Sequence, residues 1–145
     1  MNTFLPYQDF MESARCLDRL RLGKQRLEAI QILEACLRGG GWSNHPATRM
    51  WKGFEIALCH YGMCCCAVWK ERGYVDNLYN QFQEKLTLLP IRKQYNPPWL
   101  GHEDLHSAYR SALLYKDFGW YSRHGWAEKP AVPNEEGSLP YVWPS

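Results

Sequence analysis

Residues 51–73 read WKGFEIALCHYGMCCCAVWKERG, and this stretch carries the strongest periodic pattern in the chain. Its apolar residues are spaced 3, 4, 3, 4 and 3 positions apart, at Trp51, Phe54, Leu58, Tyr61, Cys65 and Val68. Such spacing places the side chains on one face of an α-helix. The stretch therefore predicts one continuous helix of about six turns, ended by Gly73.

Helix-capping and helix-breaking residues predict two further helices before this stretch. Asp9 and Glu12 form a capping signal for a first helix, which is expected to pause near Gly23 and to resume until the glycines over 39–41. After that loop, Asn44 or His45 is expected to cap a new helix with Pro46 at its first position.

The second half of the chain predicts two more helices, over residues 76–89 and 102–116, with a proline-containing loop over 90–101 between them. The aromatic tail over 117–145 is expected to be irregular and to pack back on the helices. No strand alternation is convincing, so the predicted fold class is all-α. We expect a compact single-domain helical bundle spanning residues 1–145.

The composition is that of one folded domain with little net charge. The chain has 145 residues, of which 46% are hydrophobic, 14% aromatic and 22% charged, with a formal charge of +2. This balance argues against a broad electrostatic coat for nucleic acid, although the positive excess is concentrated in the first third. No transmembrane stretch and no signal peptide are recognisable, so we expect a cytoplasmic protein without a membrane partner.

Six cysteines are present, and three of them are adjacent at positions 64–66. Successive helical residues point about 100° apart, an arrangement that suits neither a disulfide nor chelation. We therefore interpret the cysteines as buried reduced thiols. A metal site that includes His60 is the less favoured alternative.

Charged residues cluster in the first long helical region. Five cations, Arg15, Arg19, Arg21, Lys24 and Arg26, are opposed there only by Asp18. They form either a phosphate-binding ridge or a solvated helix face. Glu28 follows, and its carboxylate could stabilise a cation developing on a sugar or simply pair with Lys24 at the preceding turn.

The residues from His102 to His106 match the pattern H-E-x-x-H of zinc hydrolases, with Glu103 as the potential general base. The match falls at a predicted helix start and lacks a convincing third ligand. A use of both histidines at a phosphate-facing helix N-terminus is the favoured interpretation.

Aromatic residues in the tail, Trp120, Tyr121 and Trp126, are interleaved with Arg123 and His124. Such a pattern is typical of a stacking platform for bases. The alternative is that these rings close the hydrophobic core.

Taken together and in order, several short motifs resemble the pyrimidine-dimer DNA glycosylase family, also called the endonuclease V-type or pyrimidine-excise family, in a divergent branch. The resemblance covers roughly residues 1–126. It is carried by Leu17-Asp18, Arg26-Leu27-Glu28-Ala29, Asn44-His45-Pro46, His102-Glu103, Arg110-Ser111 through Leu114, Lys116-Asp117 and Trp120-Tyr121. The continuation Pro140-Tyr141-Val142-Trp143-Pro144 resembles a feature of a lesser-studied branch of the family.

The resemblance implies a DNA glycosylase with abasic-site lyase activity on damaged or modified bases in duplex DNA. An N-terminal α-amine forms a Schiff base with the sugar in that family, assisted by a glutamate. The implied catalytic residues are Glu28 together with the N-terminal Met1, Asn2 and Thr3. The implied nucleic-acid-binding residues are Arg21, Lys24, Arg26, His45, His102, His106, Arg110, Trp120 and Tyr121.

The same resemblance implies double-stranded DNA as the partner, no cofactor, no metal and a monomeric protein. This chain departs from the family at its start, where Asn2 stands in place of the threonine that carries the amine after removal of the initiator methionine. Leu27 precedes Glu28 where the family has an arginine. The alternative is therefore a non-catalytic nucleic-acid-binding or nucleotide-binding protein on the same fold.

Overall fold

The computed structural model describes residues 1–90 and 95–144, and within those ranges all regular structure is helical, which confirms the predicted all-α class. Residues 91–94, part of the predicted loop, lie outside the described residues. The elements are α1 (Phe10–Cys16), α2 (Arg19–Arg38), α3 (Pro46–Trp51), α4 (Glu55–Glu71), α5 (Tyr79–Leu88), α6 (Glu103–Lys116), α7 (Phe118–Tyr121) and a 3-10 turn (Ser122–His124).

Helices α2 and α4 pack together at the centre, and α1, α3 and α5 pack around this pair. Large side chains fill the space between them, with Trp51, Tyr61 and Phe82 fully buried. Gly62 permits the closest approach, because a Cβ atom there would stand 2.2 Å from the Phe82 ring. Burial of this apolar surface is the main stabilising contribution to the fold.

The prediction of one continuous helix from Trp51 to Val68 is wrong. Helix α3 ends at Trp51 and α4 begins at Glu55, with Gly53 between them at φ 93°. A residue with a side chain rarely adopts that φ, so the glycine allows the chain to turn there. The apolar spacing continues across the turn because both helices bury the same side against the core.

The predicted pause near Gly23 is also wrong, because α2 runs through that residue without interruption. The break lies earlier, at Leu17 and Asp18, where extended backbone separates α1 from α2. Asp18 caps α2 by accepting a hydrogen bond from the Arg21 N–H. Gly23 serves packing instead, since its missing Cβ leaves room for the Trp69 ring.

Several predicted caps are confirmed. The Asp9 carboxylate accepts from the Glu12 N–H, His45 Nδ1 accepts from the Ala47 N–H, and Gly39 ends α2 with a positive φ. Helix α5 begins three residues later than predicted, because Asp76 accepts from the N–H groups of the residues that follow it instead of entering the helix.

The tail is less irregular than predicted, because α7 and the 3-10 turn occupy its first residues. Residues 125–144, here called the C-terminal strap, then run without regular structure. The strap is held against α6, where the Ala131 N–H donates to the Ser111 carbonyl and the Ser111 hydroxyl donates to the Lys129 carbonyl.

All six cysteines are free thiols, and five of them are buried. Burial raises the pKa of Cys16, Cys36, Cys59 and Cys66 to about 12. This confirms the predicted burial for five of the cysteines, which pack as small apolar side chains, whereas Cys64 is half-buried. Among the helices that the structure describes, none is long and apolar enough to cross a membrane.

Candidate active site

A cleft of about 620 Å³ opens where the N-terminal segment, α2, the end of α6 and the strap come together. Its lining combines one carboxylate, three cations and two aromatic rings with the first residues of the chain. The lining residues are Met1, Asn2, Phe4, Leu20, Arg21, Lys24, Gln25, Glu28, Lys116 and Tyr141. The cleft therefore contains five of the residues that were predicted on α2 and at the N-terminus: Met1, Asn2, Arg21, Lys24 and Glu28.

The N-terminal segment reaches the cleft through the core of the protein. Thr3 is fully buried, and its hydroxyl accepts a hydrogen bond from Trp51 Nε1 at 3.0 Å. The Phe4 N–H donates to Gln25 Oε1 at 2.7 Å, and the Tyr61 hydroxyl donates to the Phe4 carbonyl at 2.8 Å. These contacts anchor residues 3 and 4, so that the chain emerges into the cleft at Asn2 and Met1.

Glu28 meets this segment at the floor of the cleft. Its Oε2 accepts from the Asn2 backbone N–H at 3.2 Å and from Gln25 Nε2 at 3.1 Å. Gln25 also donates to the Asn2 carbonyl at 3.0 Å, which fixes the backbone beside the carboxylate. The alternative that Glu28 simply pairs with Lys24 is wrong, because Glu28 Oε2 bonds Asn2 and Gln25 and forms no ion pair with Lys24 among the residues that the structure describes.

Cations surround this carboxylate. Arg21 bonds Asp18 at 3.2 Å, whereas Lys24 and Lys116 form no ion pair with the residues that the structure describes. Partial burial lowers the pKa of Lys116, and the nearby charges of Arg21 and Lys24 lower it further while Glu28 opposes them. A site of this kind suits an anion such as a phosphate.

Two lining residues, Lys116 and Tyr141, belong to motifs of the family resemblance but were not predicted as site residues. Lys116 ends α6, and Tyr141 lies in the strap, so both come from parts of the chain distant from α2. No local spacing connects either residue to Glu28. Only the packing of α6 and the strap against the N-terminal segment brings them to the cleft.

Arg26, which was expected to contact phosphate, is instead buried and paired. Its Nε and Nη2 donate to Asp76 Oδ1 at 2.9 Å and 2.6 Å, and its guanidinium lies 4.8 Å from the centre of the Trp69 ring. The side chain ties α2 to the segment before α5. Arg26 is therefore not among the residues that the cleft brings together.

The predicted residues of α6 and α7 are likewise engaged in structural contacts. His106 Nδ1 donates to the Leu5 carbonyl at 2.7 Å, and its Nε2 accepts from the Gly101 N–H at 2.9 Å. Arg110 bonds Glu128 and the Pro6 carbonyl. The buried Tyr121 hydroxyl bonds Asp18, so none of these side chains lines the cleft.

The three remaining predicted residues do not line the cleft. His45 caps α3, and burial together with the N-terminal amine lowers its pKa while Glu28 raises it. His102 is exposed and lines a separate cavity of about 270 Å³. Trp120 is half-buried, donates to the Cys16 carbonyl at 2.8 Å, and carries the Arg123 guanidinium over its ring.

The arrangement of the H-E-x-x-H residues does not favour a zinc centre. Both ring nitrogens of His106 are used in hydrogen bonds to the backbone, which leaves neither free for a metal. Over residues 1–90 and 95–144, no group of three or more His, Cys, Asp and Glu side chains is placed to hold a metal ion.

The fold and the cleft define an α-helical protein in which an N-terminal backbone nitrogen, a helix carboxylate and two lysines face one opening. Residues 1–81, more than half of the chain, match the family model described as pyrimidine dimer DNA glycosylase, and the protein belongs to this family. Membership indicates DNA glycosylase-type repair and binding to DNA. Comparison with curated proteins and with solved structures finds no match.

The family match supports the first part of the resemblance seen in the sequence, up to residue 81. It includes the N-terminal segment and α2, and therefore Asn2, Arg21, Lys24 and Glu28. The motifs from His102 to Tyr121, and the cleft residues Lys116 and Tyr141, lie beyond the matched residues.

Proposed function

We propose that the protein is a DNA glycosylase with abasic-site lyase activity that acts on damaged or modified bases in duplex DNA through an N-terminal amine. One observation carries the proposal: the backbone nitrogen of Asn2 lies 3.2 Å from Glu28 Oε2 inside a cleft rimmed by cations. An amine nucleophile beside a carboxylate is the combination that Schiff-base chemistry on a sugar requires.

In the proposed reaction, the amine attacks C1′ of the damaged nucleotide, a C–N bond forms and the bond from C1′ to the base breaks. The base leaves with the electron pair of that bond and takes up a proton. The ring oxygen is then released, and the amine and C1′ form a cationic Schiff base. The Glu28 carboxylate stabilises this positive charge and can shuttle the protons. Loss of a proton from C2′ and of the 3′ phosphate completes β-elimination.

The position of the Asn2 backbone nitrogen, which is an amide while Met1 is present, supports the α-amine of Asn2, exposed by removal of Met1, as the nucleophile. Its nitrogen already stands at hydrogen-bond distance from Glu28, and Gln25 holds the Asn2 carbonyl. If Met1 is retained, the amine lies one residue farther along in the same cleft. The intact mass of the protein and the mass of the trapped N-terminal peptide identify which residue carries the amine.

The cations of the cleft are proposed to hold the phosphates that flank the damaged nucleotide. Lys24 lies on the exposed face of α2 and Lys116 at the end of α6, and both line the cleft that holds Glu28. Because only a few cations line the site and the formal charge of the chain is +2, we expect affinity for DNA to fall only gradually with salt.

Borohydride trapping tests this proposal. The protein is incubated with a duplex that carries an abasic site or an ultraviolet-induced dimer, and borohydride is added to reduce a Schiff base to a stable adduct. We expect an adduct from the natural chain and its loss in Glu28→Gln with DNA affinity unchanged. Glu34→Gln, on the same helix but away from the cleft, is the matched control for loss of one carboxylate. If DNA binds and the N-terminal amine is unblocked but no adduct forms, the proposed enzymatic activity is refuted.

A non-catalytic nucleic-acid-binding protein is the second candidate, and one observation favours it. With Met1 retained, Glu28 Oε2 accepts from a backbone amide and from Gln25, so a main-chain amide, not an amine, occupies the position beside the carboxylate. This candidate predicts DNA affinity without an adduct and an intact mass that includes Met1.

A further inference from the structure

The cleft has two walls of different chemistry. Helix α2 supplies the polar wall, with Gln25 and Glu28 bonded to the backbone of Asn2. The C-terminal strap supplies the opposite wall through Tyr141, the one aromatic ring other than Phe4 among the lining residues. Met1 and Asn2, the first two residues of the chain, lie between these walls.

The Tyr141 ring is held by other aromatic rings. Its centroid lies 6.5 Å from that of Phe4 and 5.7 Å from that of Tyr109, both of which are buried. Trp143 packs on it at 5.6 Å and extends the contact to His45 at 6.2 Å. Aromatic pairs at these separations prefer tilted and edge-to-face arrangements, and those are the arrangements present here.

The strap that carries Tyr141 is itself anchored to α6. Arg110 donates to Glu128 through Nε at 2.9 Å and through Nη2 at 2.7 Å, and Ser107 donates to the same carboxylate oxygen at 2.9 Å. Charge-assisted bonds of this kind hold a segment more firmly than neutral ones. The aromatic wall is thus fixed to the helix that also supplies Lys116.

The side chain of Asn2 lies beside Tyr141. Burial raises the pKa of the Tyr141 hydroxyl to about 12. Asn2 and Tyr141 line the same cleft, and the Asn2 side-chain oxygen accepts from the Thr3 N–H at 2.8 Å. Asn2 is therefore held through its backbone by α2, and the Tyr141 ring of the strap lines the same cleft. Thr3 and Phe4 are anchored deeper in the core. The direction of Met1 and Asn2 therefore depends on the bonds to α2 and on the wall formed by Tyr141.

We infer that Tyr141 is a positioning residue, which holds the N-terminal segment so that its amine faces Glu28. The inference rests on the proposed function and adds a part of the chain beyond the residues that match the family, which end at residue 81. Without the ring, the terminal residues keep their bonds to α2 but lose the wall that prevents them from swinging into the open cleft. A displacement of about 1 Å at a reacting group can slow a reaction about 100-fold.

The test compares Tyr141→Ala and Tyr141→Phe with Val142→Ala. Val142 is the matched control because it adjoins Tyr141 in the strap but lines the separate cavity beside Trp99. Each variant is assayed by single-turnover borohydride trapping at saturating abasic duplex and by DNA affinity. The rate at which an amine-selective acylating reagent modifies the N-terminal α-amine is followed by peptide mass spectrometry.

We expect Tyr141→Ala to trap DNA about 10- to 100-fold more slowly, with DNA affinity unchanged and severalfold faster acylation of the α-amine. Tyr141→Phe retains the ring and should trap within about twofold of the natural chain, as should Val142→Ala. If Tyr141→Ala does not fold, Tyr141→Leu replaces it and should also trap slowly, because it lacks the aromatic packing.

The inference is overturned if loss of the ring leaves trapping and acylation unchanged, or if Val142→Ala slows trapping equally. The acylation measurement needs no DNA, so it separates the two proposals. If the natural chain forms no adduct but loss of the ring still speeds acylation, the proposed function fails and the positioning role of Tyr141 stands.

Discussion

Removal of the Asp76 carboxylate is expected to be among the most destabilising single changes in this protein. The side chain of Asp76 is 1% exposed and that of its partner Arg26 is 10% exposed. Asp76 accepts two hydrogen bonds from Arg26 and further ones from the N–H groups of Leu78 and Tyr79. Asp76→Ala therefore leaves a buried guanidinium without its counter-ion and two helix-start N–H groups without their acceptor.

The expected magnitude follows from that geometry. Removing one partner of a buried ion pair costs about 3–5 kcal/mol. For a chain of this size each kcal/mol lowers the melting temperature by about 2–4 °C, so we expect a decrease of about 10 °C. Burial would raise the pKa of Asp76, but the bonds from Tyr79 and Arg26 outweigh it and keep that pKa below its usual value. The stabilisation should therefore persist at neutral pH and disappear only below about pH 4.

Chemical denaturation followed by far-ultraviolet circular dichroism measures the free energy of unfolding. Arg15→Ala is the matched control, because its ion pair with Glu71 is more than half exposed on both sides and should contribute about 1 kcal/mol or less. The double variant Arg26→Leu with Asp76→Ala should be less destabilised than Asp76→Ala alone, since no unpaired charge is left. The assignment of Arg26 to the interior is refuted if Asp76→Ala costs no more than Arg15→Ala.

Three further predictions follow from the cleft and the core. Lys116→Gln should make the logarithmic dependence of DNA affinity on salt shallower by about 0.9 if this side chain contacts one phosphate, as measured by fluorescence anisotropy; an unchanged slope would exclude that contact. Gly62→Ala should destabilise the fold by about 1–3 kcal/mol through overpacking against Phe82, and thermal melting near that of the natural chain would contradict the packing described. Burial lowers the pKa values of His106 and His45, so protonation favours the unfolded chain and stability should fall as the pH drops below about 6.5. In thermal melts between pH 5 and 8, the melting temperature of His106→Gln should depend less on pH than that of the natural chain. The same pH dependence in both proteins would contradict the burial of a neutral His106.

Sequence patterns located most helices and their caps because these depend on neighbouring residues. Asp9, His45 and Gly39 act within one turn of their own positions, through a side-chain oxygen, a ring nitrogen or a positive φ. Local patterns did not connect Glu28 with the N-terminus. Only the family resemblance implied that the two act together. The structure then supplied the distance of 3.2 Å from the Asn2 nitrogen to the carboxylate.

Local reasoning failed where a residue's role depends on a distant partner. Gly23 lies within α2, where its missing Cβ leaves room for the Trp69 ring of α4. Periodicity alone did not separate α3 from α4 at Gly53. Arg26 has the sequence context of a phosphate ligand, but Asp76, fifty positions away, neutralises it in the interior. A charge pattern does not specify which cations find a buried counter-ion.

The sequence by itself thus determined that the chain is helical and that it resembles a DNA glycosylase, since periodicity, capping and short motifs can be recognised along the chain. Only the tertiary structure decided which polar side chains face the cleft. Lys116 and Tyr141 join Glu28 there, whereas His106 and Tyr121 hold the core. The physical reason is that burial and pairing arise from contacts between segments far apart in the chain, which no spacing along the sequence records.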